Sequence, residues 1–135
     1  MKRISSLLAV ATIVACSDAF KPTIDNVSGM YSAQTFTSDS AGTTKNWITA
    51  GATLDLALTP GGVVTGQLVM PGVPSDTTTF VALLDGTWSL TGKTVRFTQG
   101  ADTFIRDVDW VVGENRLSGD ETFGGVRVRV VLTKQ

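Results

Sequence analysis

The sequence predicts an all-β domain: an eight-stranded antiparallel up-and-down meander that closes into a barrel. From Gly29 onward, short runs rich in Val, Thr, Leu and aromatic residues alternate in polarity with a period of two, which is typical of half-buried strands. Glycine, proline and asparagine separate these runs at positions that suit tight hairpins, and no stretch has convincing helical periodicity. Closing the meander into a barrel removes the two unpaired edges that eight open strands would leave.

The first 15 residues have the layout of a secretory signal peptide. The basic pair Lys2 and Arg3 precedes residues 4–15, an apolar run without charge that is too short to span a bilayer as a helix. The only cysteine, Cys16, follows this run directly. It has no second cysteine for an internal disulfide, and the chain has no histidine that could activate it or share a zinc site with it.

Residues 13–16, with the sequence IVAC, resemble the lipobox of bacterial lipoproteins. In that motif a branched apolar residue and two small residues precede a cysteine that is acylated and becomes the mature N-terminus. The resemblance implies cleavage before Cys16 and anchoring to a membrane by a diacylglyceryl group, usually with a third acyl chain such as palmitate. The alternative is a buried cysteine in an N-terminal helix or strand. In a Gram-negative cell, Ser17 after the acylated cysteine would accompany delivery to the outer membrane, facing the periplasm.

Composition separates a short tether, residues 16–28, from a single domain, residues 29–135. The tether is polar and contains one proline, and the domain is large enough to bury roughly two-thirds of its unfolded surface. Without the two basic residues of the signal peptide, 9 basic residues face 12 acidic ones. No basic cluster is present, so the sequence gives no indication of nucleic-acid binding.

The alternation predicts eight strands, and it also predicts which side chains face inward. The strands are expected at residues 29–37, 52–59, 62–70, 78–90, 93–99, 103–112, 115–122 and 126–133. The clearest inward sets are Leu54, Leu56 and Leu58; Phe80, Ala82, Leu84, Gly86, Trp88 and Leu90; Phe104, Arg106, Val108, Trp110 and Val112; and Val126, Val128, Val130 and Leu132.

The connections predict which end of the barrel is open. Because an up-and-down barrel alternates its connections between two rims, the tight turns at 60–62, 91–92 and 113–115 fall on one rim. The other rim carries the connections at 38–51, 71–77, 99–102 and 123–125, and it is therefore the expected mouth.

Residues 29–133 resemble a small bacterial lipocalin-like domain in three features. These are the tripeptide Gly29-Met30-Tyr31 at the start of the first strand, the long first connection and the mostly short later turns. Tyr31 stands where lipocalins usually have tryptophan. The resemblance implies a barrel that can hold one small ligand, and a basic residue of the last strand, Arg127 or Arg129, packed over Tyr31.

Phe80, Phe97, Phe104 and Arg106 are the candidate ligand-binding residues, because their strand positions place them toward the mouth. Arg106 is predicted to lie among inward-facing apolar side chains, where an unpaired guanidinium is costly. A ligand carboxylate or phosphate, the nearby Asp102, or exit of the side chain to water would each neutralise this charge.

The residues give no indication of catalysis, a metal or a cofactor. No Ser-His-Asp set, phosphate-binding loop, dinucleotide fingerprint or Cys-x-x-Cys is present, and Asp107 and Asp109 are interpreted as solubilising charges on the barrel exterior. The main functional hypothesis is a membrane-anchored protein that binds or carries a small apolar or amphipathic molecule. The alternative is a filled barrel that acts as an interaction, inhibitor or structural module, with an exposed apolar patch around Val81 and Leu83.

Overall fold

In a computed structural model, which describes residues 20–72 and 78–135, the chain forms ten strands and two single helical turns. The strands are β1 Gly29–Ser40, β2 Thr43–Asn46, β3 Thr53–Leu58, β4 Val63–Met70, β5 Phe80–Leu83, β6 Gly86–Thr91, β7 Thr94–Gln99, β8 Trp110–Gly113, β9 Arg116–Phe123 and β10 Val126–Lys134. The helical turns are α1 Ile24–Val27 and α2 Phe104–Asp107. The predicted signal peptide and Cys16 lie outside the described residues.

The strands confirm the predicted fold, a closed eight-stranded antiparallel barrel. Its order is β10-β9-β8-β7-β6-β4-β3-β1, and β1 closes the ring by pairing with β10 from Tyr31 opposite Lys134 to Asp39 opposite Arg127. Two further strands lie outside this ring: β2 forms a hairpin with β1, and β5 pairs with β4. The connection predicted at 38–51 is therefore partly a hairpin extension of β1.

The strand predicted at residues 78–90 is interrupted rather than continuous. β5 and β6 both lie opposite β4 in one register, with Leu83 opposite Gln67 and Gly86 opposite Val64. Between them the Leu84 amide still donates to the Gly66 carbonyl at 2.9 Å. The break is local, and the inward positions Ala82, Leu84 and Trp88 are buried as predicted.

The strand predicted at residues 103–112 is wrong in its first half, where α2 replaces it. A strand would turn the adjacent Phe104 and Ile105 to opposite faces, whereas in this helical turn both pack against the core. Ile105 is fully buried, and its carbonyl accepts a hydrogen bond of 3.0 Å from the Trp110 indole. Burial of this adjacent pair explains why alternation failed here.

A β-bulge in β1 lets two aromatic residues of opposite parity reach the same core. The β1–β10 register shifts between Ala33 and Thr35, which leaves Gln34 as the extra residue. As a result both Tyr31 and Phe36 are buried. In a regular strand, residues five positions apart would face opposite sides of the sheet.

The packed structure begins before Gly29, so the segment predicted as a tether is in part folded. α1 has a capping box between Thr23 and Asn26, and its last residue, Val27, is fully buried. The Tyr31 hydroxyl donates to the Val27 carbonyl at 2.6 Å, and the Lys134 ammonium donates to the Asn26 carbonyl at 2.9 Å. α1 therefore covers the end of the barrel that carries the tight turns, here called the base.

One glycine is required by a close approach between neighbouring strands. Gly66 in β4 has a φ of +150°, and a Cβ there would lie 2.0 Å from the Asp55 carbonyl oxygen in β3. Residues other than glycine rarely adopt this φ, and no side chain fits in the space between the two strands.

Candidate functional site

The mouth of the barrel carries an aromatic cluster of Phe36, Trp47 and Phe104. The Phe36 ring lies 5.4 Å from the Phe104 ring and 6.1 Å from the Trp47 ring, between ring centroids. Trp47 is held by its indole, which donates to the Ser38 hydroxyl at 3.0 Å, and by Lys45, whose ammonium lies 3.9 Å from the ring centroid. The buried Phe36 and the two half-buried rings give this end of the barrel an apolar lining.

The four predicted ligand-binding residues have different surroundings. Phe104 joins the aromatic cluster, whereas Phe97 is buried in the core, 6.2 Å from the Trp110 ring centroid. Phe80 begins β5 and is 51% exposed, so the inward burial predicted for it is wrong. The inward-facing position predicted for Arg106 is wrong, because this residue belongs to α2 and not to a strand.

Arg106 is neutralised by carboxylates of its own segment. Its guanidinium lies 2.7 Å from Asp102 and 3.4 Å from Asp107, in two partly exposed ion pairs. Of the three partners considered from the sequence, Asp102 is therefore present. Asp109 pairs with Arg96 at 2.7 Å on the exterior. These acids are thus engaged by arginines, and no group of three or more potential metal ligands occurs in the described residues.

Two buried polar atoms near the mouth lack a hydrogen-bond partner among the described residues: the Gln99 side-chain oxygen and the Thr103 hydroxyl. The Gln99 amide nitrogen donates to the Leu84 carbonyl at 3.0 Å, which fixes the side chain in the interior. Thr103 is the N-cap residue of α2, but its side chain makes no capping bond. Buried acceptors of this kind usually bind water or a ligand donor. Sequence reasoning missed both residues, because a polar side chain at the end of a strand (Gln99) or just before a helical turn (Thr103) gives no signal of burial.

The second notable region is the β5 surface, defined as Phe80, Val81 and Leu83. These side chains are 51%, 54% and 64% exposed, so the outward direction predicted for Val81 and Leu83 is confirmed. β5 pairs with β4 on one edge and with no other described strand on the second edge. After Gln99 the chain turns into α2 instead of continuing beside β5, and this leaves the second edge without a described partner strand.

At the base, Lys134 occupies the position that the lipocalin resemblance assigned to Arg127 or Arg129. It lies opposite Tyr31, and its side chain crosses over Gly29. Arg127 instead forms a two-point ion pair with Asp120 on the exterior, at 2.9 and 2.7 Å. Sequence reasoning missed Lys134 because the last strand was expected to end one residue earlier.

Tyr31 is the titratable group that packing perturbs most clearly at the base. Burial raises the pKa of its phenol from 10.0 to about 12, because the charged phenolate is poorly solvated there. The hydrogen bond to the Val27 carbonyl also requires the protonated form, since only the hydroxyl can donate.

None of the helices in residues 20–72 and 78–135 has the length and apolar character needed to cross a bilayer. Comparison with known proteins gives no significant match to a protein-family model, to a curated protein or to a solved structure.

Proposed function

We propose that this protein is a lipid-anchored protein of the bacterial cell envelope whose barrel acts as an interaction module, with β5 as the strand that receives a partner protein. The observation that carries the proposal is the β5 surface. Val81 and Leu83 are exposed on its outer face, Phe80 is exposed at the start of the same strand, and the strand contains no charged residue. Exposed strand edges are usually protected by charge, proline or a covering segment, so an uncharged apolar edge favours a site that a partner covers.

The edge of β5 suggests how the partner would bind. An extended segment can add to a free strand edge through main-chain hydrogen bonds, while alternate side chains give specificity. Val81 and Leu83 point to the same outer face, and Val69 of β4 lies directly opposite Val81. A partner strand would therefore contact the apolar side chains of Val81 and Leu83 as well as form backbone hydrogen bonds.

The packing of the interior also favours action through the surface. Inward side chains from the barrel strands form one contiguous apolar core, which includes Trp88, Phe97 and Trp110. Arg106, the cation considered as a ligand partner, already has two carboxylates beside it.

Site-specific photocrosslinking in the producing cell tests the β5 proposal. A photoreactive side chain at Leu83 should give a defined adduct with a second protein, and Val81→Lys should reduce this adduct by about tenfold or more, because it places a charge in the apolar contact. Thr122 is the control position, since it is exposed on β9, on another wall of the barrel. Equal labelling from Leu83 and Thr122 in folded protein would reject β5 as the docking strand.

The lipid anchor has its own test. Mass spectrometry of the mature protein purified from membranes should find an N-terminal Cys16 that carries diacylglyceryl, and Cys16→Ser should abolish both the acylation and the membrane association. A mature protein that retains residues 1–15, or that begins at Cys16 without lipid, would contradict the anchor.

A second candidate function, the binding or carriage of a small apolar or amphipathic molecule, is favoured by the Gln99 oxygen and the Thr103 hydroxyl. A ligand could donate to these atoms while its apolar part contacts Phe104, with Arg106 nearby at the end of α2. Phe80 and Phe97 stay predictions for this function.

Native mass spectrometry of the mature protein, with identification of any co-purified molecule, tests this candidate. Thr103→Val should weaken the binding of such a ligand by about tenfold, which is the effect of one lost hydrogen bond to a buried group. Arg106→Ala should also reduce the occupancy of the ligand if the ligand is an acid. Protein that appears only at its own mass, and that binds neither fatty acid nor phospholipid in titration, would exclude this second candidate.

A further inference from the structure

We infer that the base of the barrel is a membrane-docking surface that lies against an anionic phospholipid bilayer, while the β5 surface stays available to a partner. The inference rests on the lipid anchor proposed above and deepens it, because it assigns an orientation to the anchored domain. Three independent features of the base carry it: its distance along the chain from Cys16, its exposed apolar side chains and its charge.

The chain between the anchor and the base is short. Only six residues, 17–22, separate Cys16 from Thr23, the N-cap of α1. Seven steps of fully extended chain span at most about 25 Å, less than the length of most small domains. Because α1 covers the base and is fastened to it through Val27 and Lys134, the base is the end of the barrel that an acylated Cys16 would hold nearest the bilayer.

Exposed apolar side chains surround this end. Seven large apolar residues are exposed in the described part of the chain, and the four that do not belong to the β5 surface all lie at or near the base. Ile24 is on α1, Met30 is the second residue of β1, Val63 begins β4 directly after a tight turn, and Val111 lies two residues before the end of β8. A shallow groove of about 190 Å³ lies beside Met30 and Ala57 on the outer wall, and its mostly apolar lining includes Asp55.

The charges of the base complement an anionic membrane. The base carries four basic residues (Lys21, Lys93, Arg116 and Lys134) and two acidic ones (Asp25 and Glu114). The rest of the described chain has five basic and eight acidic residues. Basic side chains close to an anionic bilayer each contribute about 1 kcal/mol of attraction, so this asymmetry turns the base, rather than the rest of the barrel, toward the lipid.

Depth-dependent quenching on the intact lipidated protein tests the orientation. Acylation of Cys16 leaves a newly introduced cysteine as the only free thiol, which a fluorophore can label. Met30→Cys and Leu83→Cys are a matched pair, because the original side chains are 66% and 64% exposed. In vesicles of phosphatidylglycerol and phosphatidylethanolamine with brominated acyl chains, the label at position 30 should be quenched and the label at position 83 should not.

Charge reversal tests the electrostatic part. Lys93→Glu with Arg116→Glu should lower the docked population by about tenfold or more on the anionic vesicles. Lys45→Glu with Arg129→Glu makes the same charge change away from the base and should leave the quenching at position 30 unchanged.

The outcomes separate this inference from the anchor on which it rests. If the mass of the purified protein shows acylation and the protein floats with vesicles, but the labels at positions 30 and 83 are quenched equally, the anchor stands and the docking surface is wrong. If the protein carries no lipid and does not float, the anchor fails, and the docking inference is overturned with it.

Discussion

Tyr31 joins the base of the barrel to the first helical turn, and its ionisation reports on both. It is the only tyrosine in the chain, so the ultraviolet absorbance of tyrosinate follows this one side chain. The neutral phenol is the form that burial and the Val27 hydrogen bond favour.

We expect Tyr31 to titrate with a pKa of about 12 in the folded protein, compared with 10.0 in the unfolded chain. Since the folded pKa is raised, the stability due to the protonated phenol is fully present below pH 10 and is lost as the pH rises through 12. Spectrophotometric titration checks the pKa, and circular dichroism checks that the fold persists. A midpoint near 10 in protein that is still folded would show that the phenol is solvated.

Tyr31→Phe should lower the free energy of unfolding by about 1 to 2 kcal/mol, because it leaves the buried Val27 carbonyl without its side-chain donor. It should also remove the alkaline dependence of stability described above. Denaturant unfolding at pH 7 and pH 11 measures both effects. If the variant shows the same loss between these two pH values as the original protein, Tyr31 is not its source.

The elements of this barrel differ in how directly their sequence determines them. β3 and β10 follow simple alternation, and their inward leucines and Val130 are buried as expected. β1 keeps the alternation of inward and outward side chains only if Gln34 is a bulge residue, and no residue type in the strand indicates a bulge there. α1 is too short to be stable alone, so its stability depends on burial of Val27 under the barrel.

Val27→Ala should therefore lower the free energy of unfolding by about 2 kcal/mol, the cost of a cavity at a fully buried position. Ile24→Ala is the matched control on the same helical turn, where the side chain is partly exposed, and it should change stability by less than about 0.5 kcal/mol. Thermal or denaturant unfolding measures both. Equal effects would mean that α1 does not pack on the base as described.

Gly66→Ala should destabilise the protein more than Val27→Ala does, lowering the free energy of unfolding by about 3 kcal/mol or more. A Cβ at position 66 would collide with the Asp55 carbonyl, and a residue other than glycine would be strained at this φ. Gly100→Ala is the control, since nothing lies within 4 Å of a Cβ there and its φ is ordinary. Failure of the Gly66 variant to fold, with the Gly100 variant intact, agrees with the expectation. A Gly66 variant as stable as the original would contradict the close approach of β3 and β4.

At the scale of the whole molecule, closure couples distant parts of the chain. β1 and β10 pair along most of their lengths, so the first and last strands of the domain depend on each other. The core is contiguous from Val27 at the base to Phe36 near the mouth. A barrel built in this way should lose its structure in one cooperative step.

Two variants can each keep one tryptophan, Trp88 or Trp110, with the other two tryptophans replaced by Phe. We expect the fluorescence of both variants to change at the same denaturant concentration. Trp88 lies on β6 and Trp110 on β8, and both are buried. Far-ultraviolet circular dichroism of the same samples provides the backbone signal. An earlier transition at Trp88 than at Trp110 would show that the β4–β6 wall opens separately.

The sequence by itself determined the fold class, most strand positions, the tight base and the outward direction of Val81 and Leu83, because a period of two and turn-forming residues act locally along the chain. Tertiary structure decided what depends on distant partners. α2 replaces a strand because Phe104 and Ile105 pack on the core together, Arg106 is neutralised where that turn brings it beside Asp102, and Lys134 reaches α1 only because the barrel closes. Among the described residues, the second edge of β5 likewise lacks a partner strand because β7 ends at Gln99 and the chain then turns away, and no pattern within β5 encodes that choice.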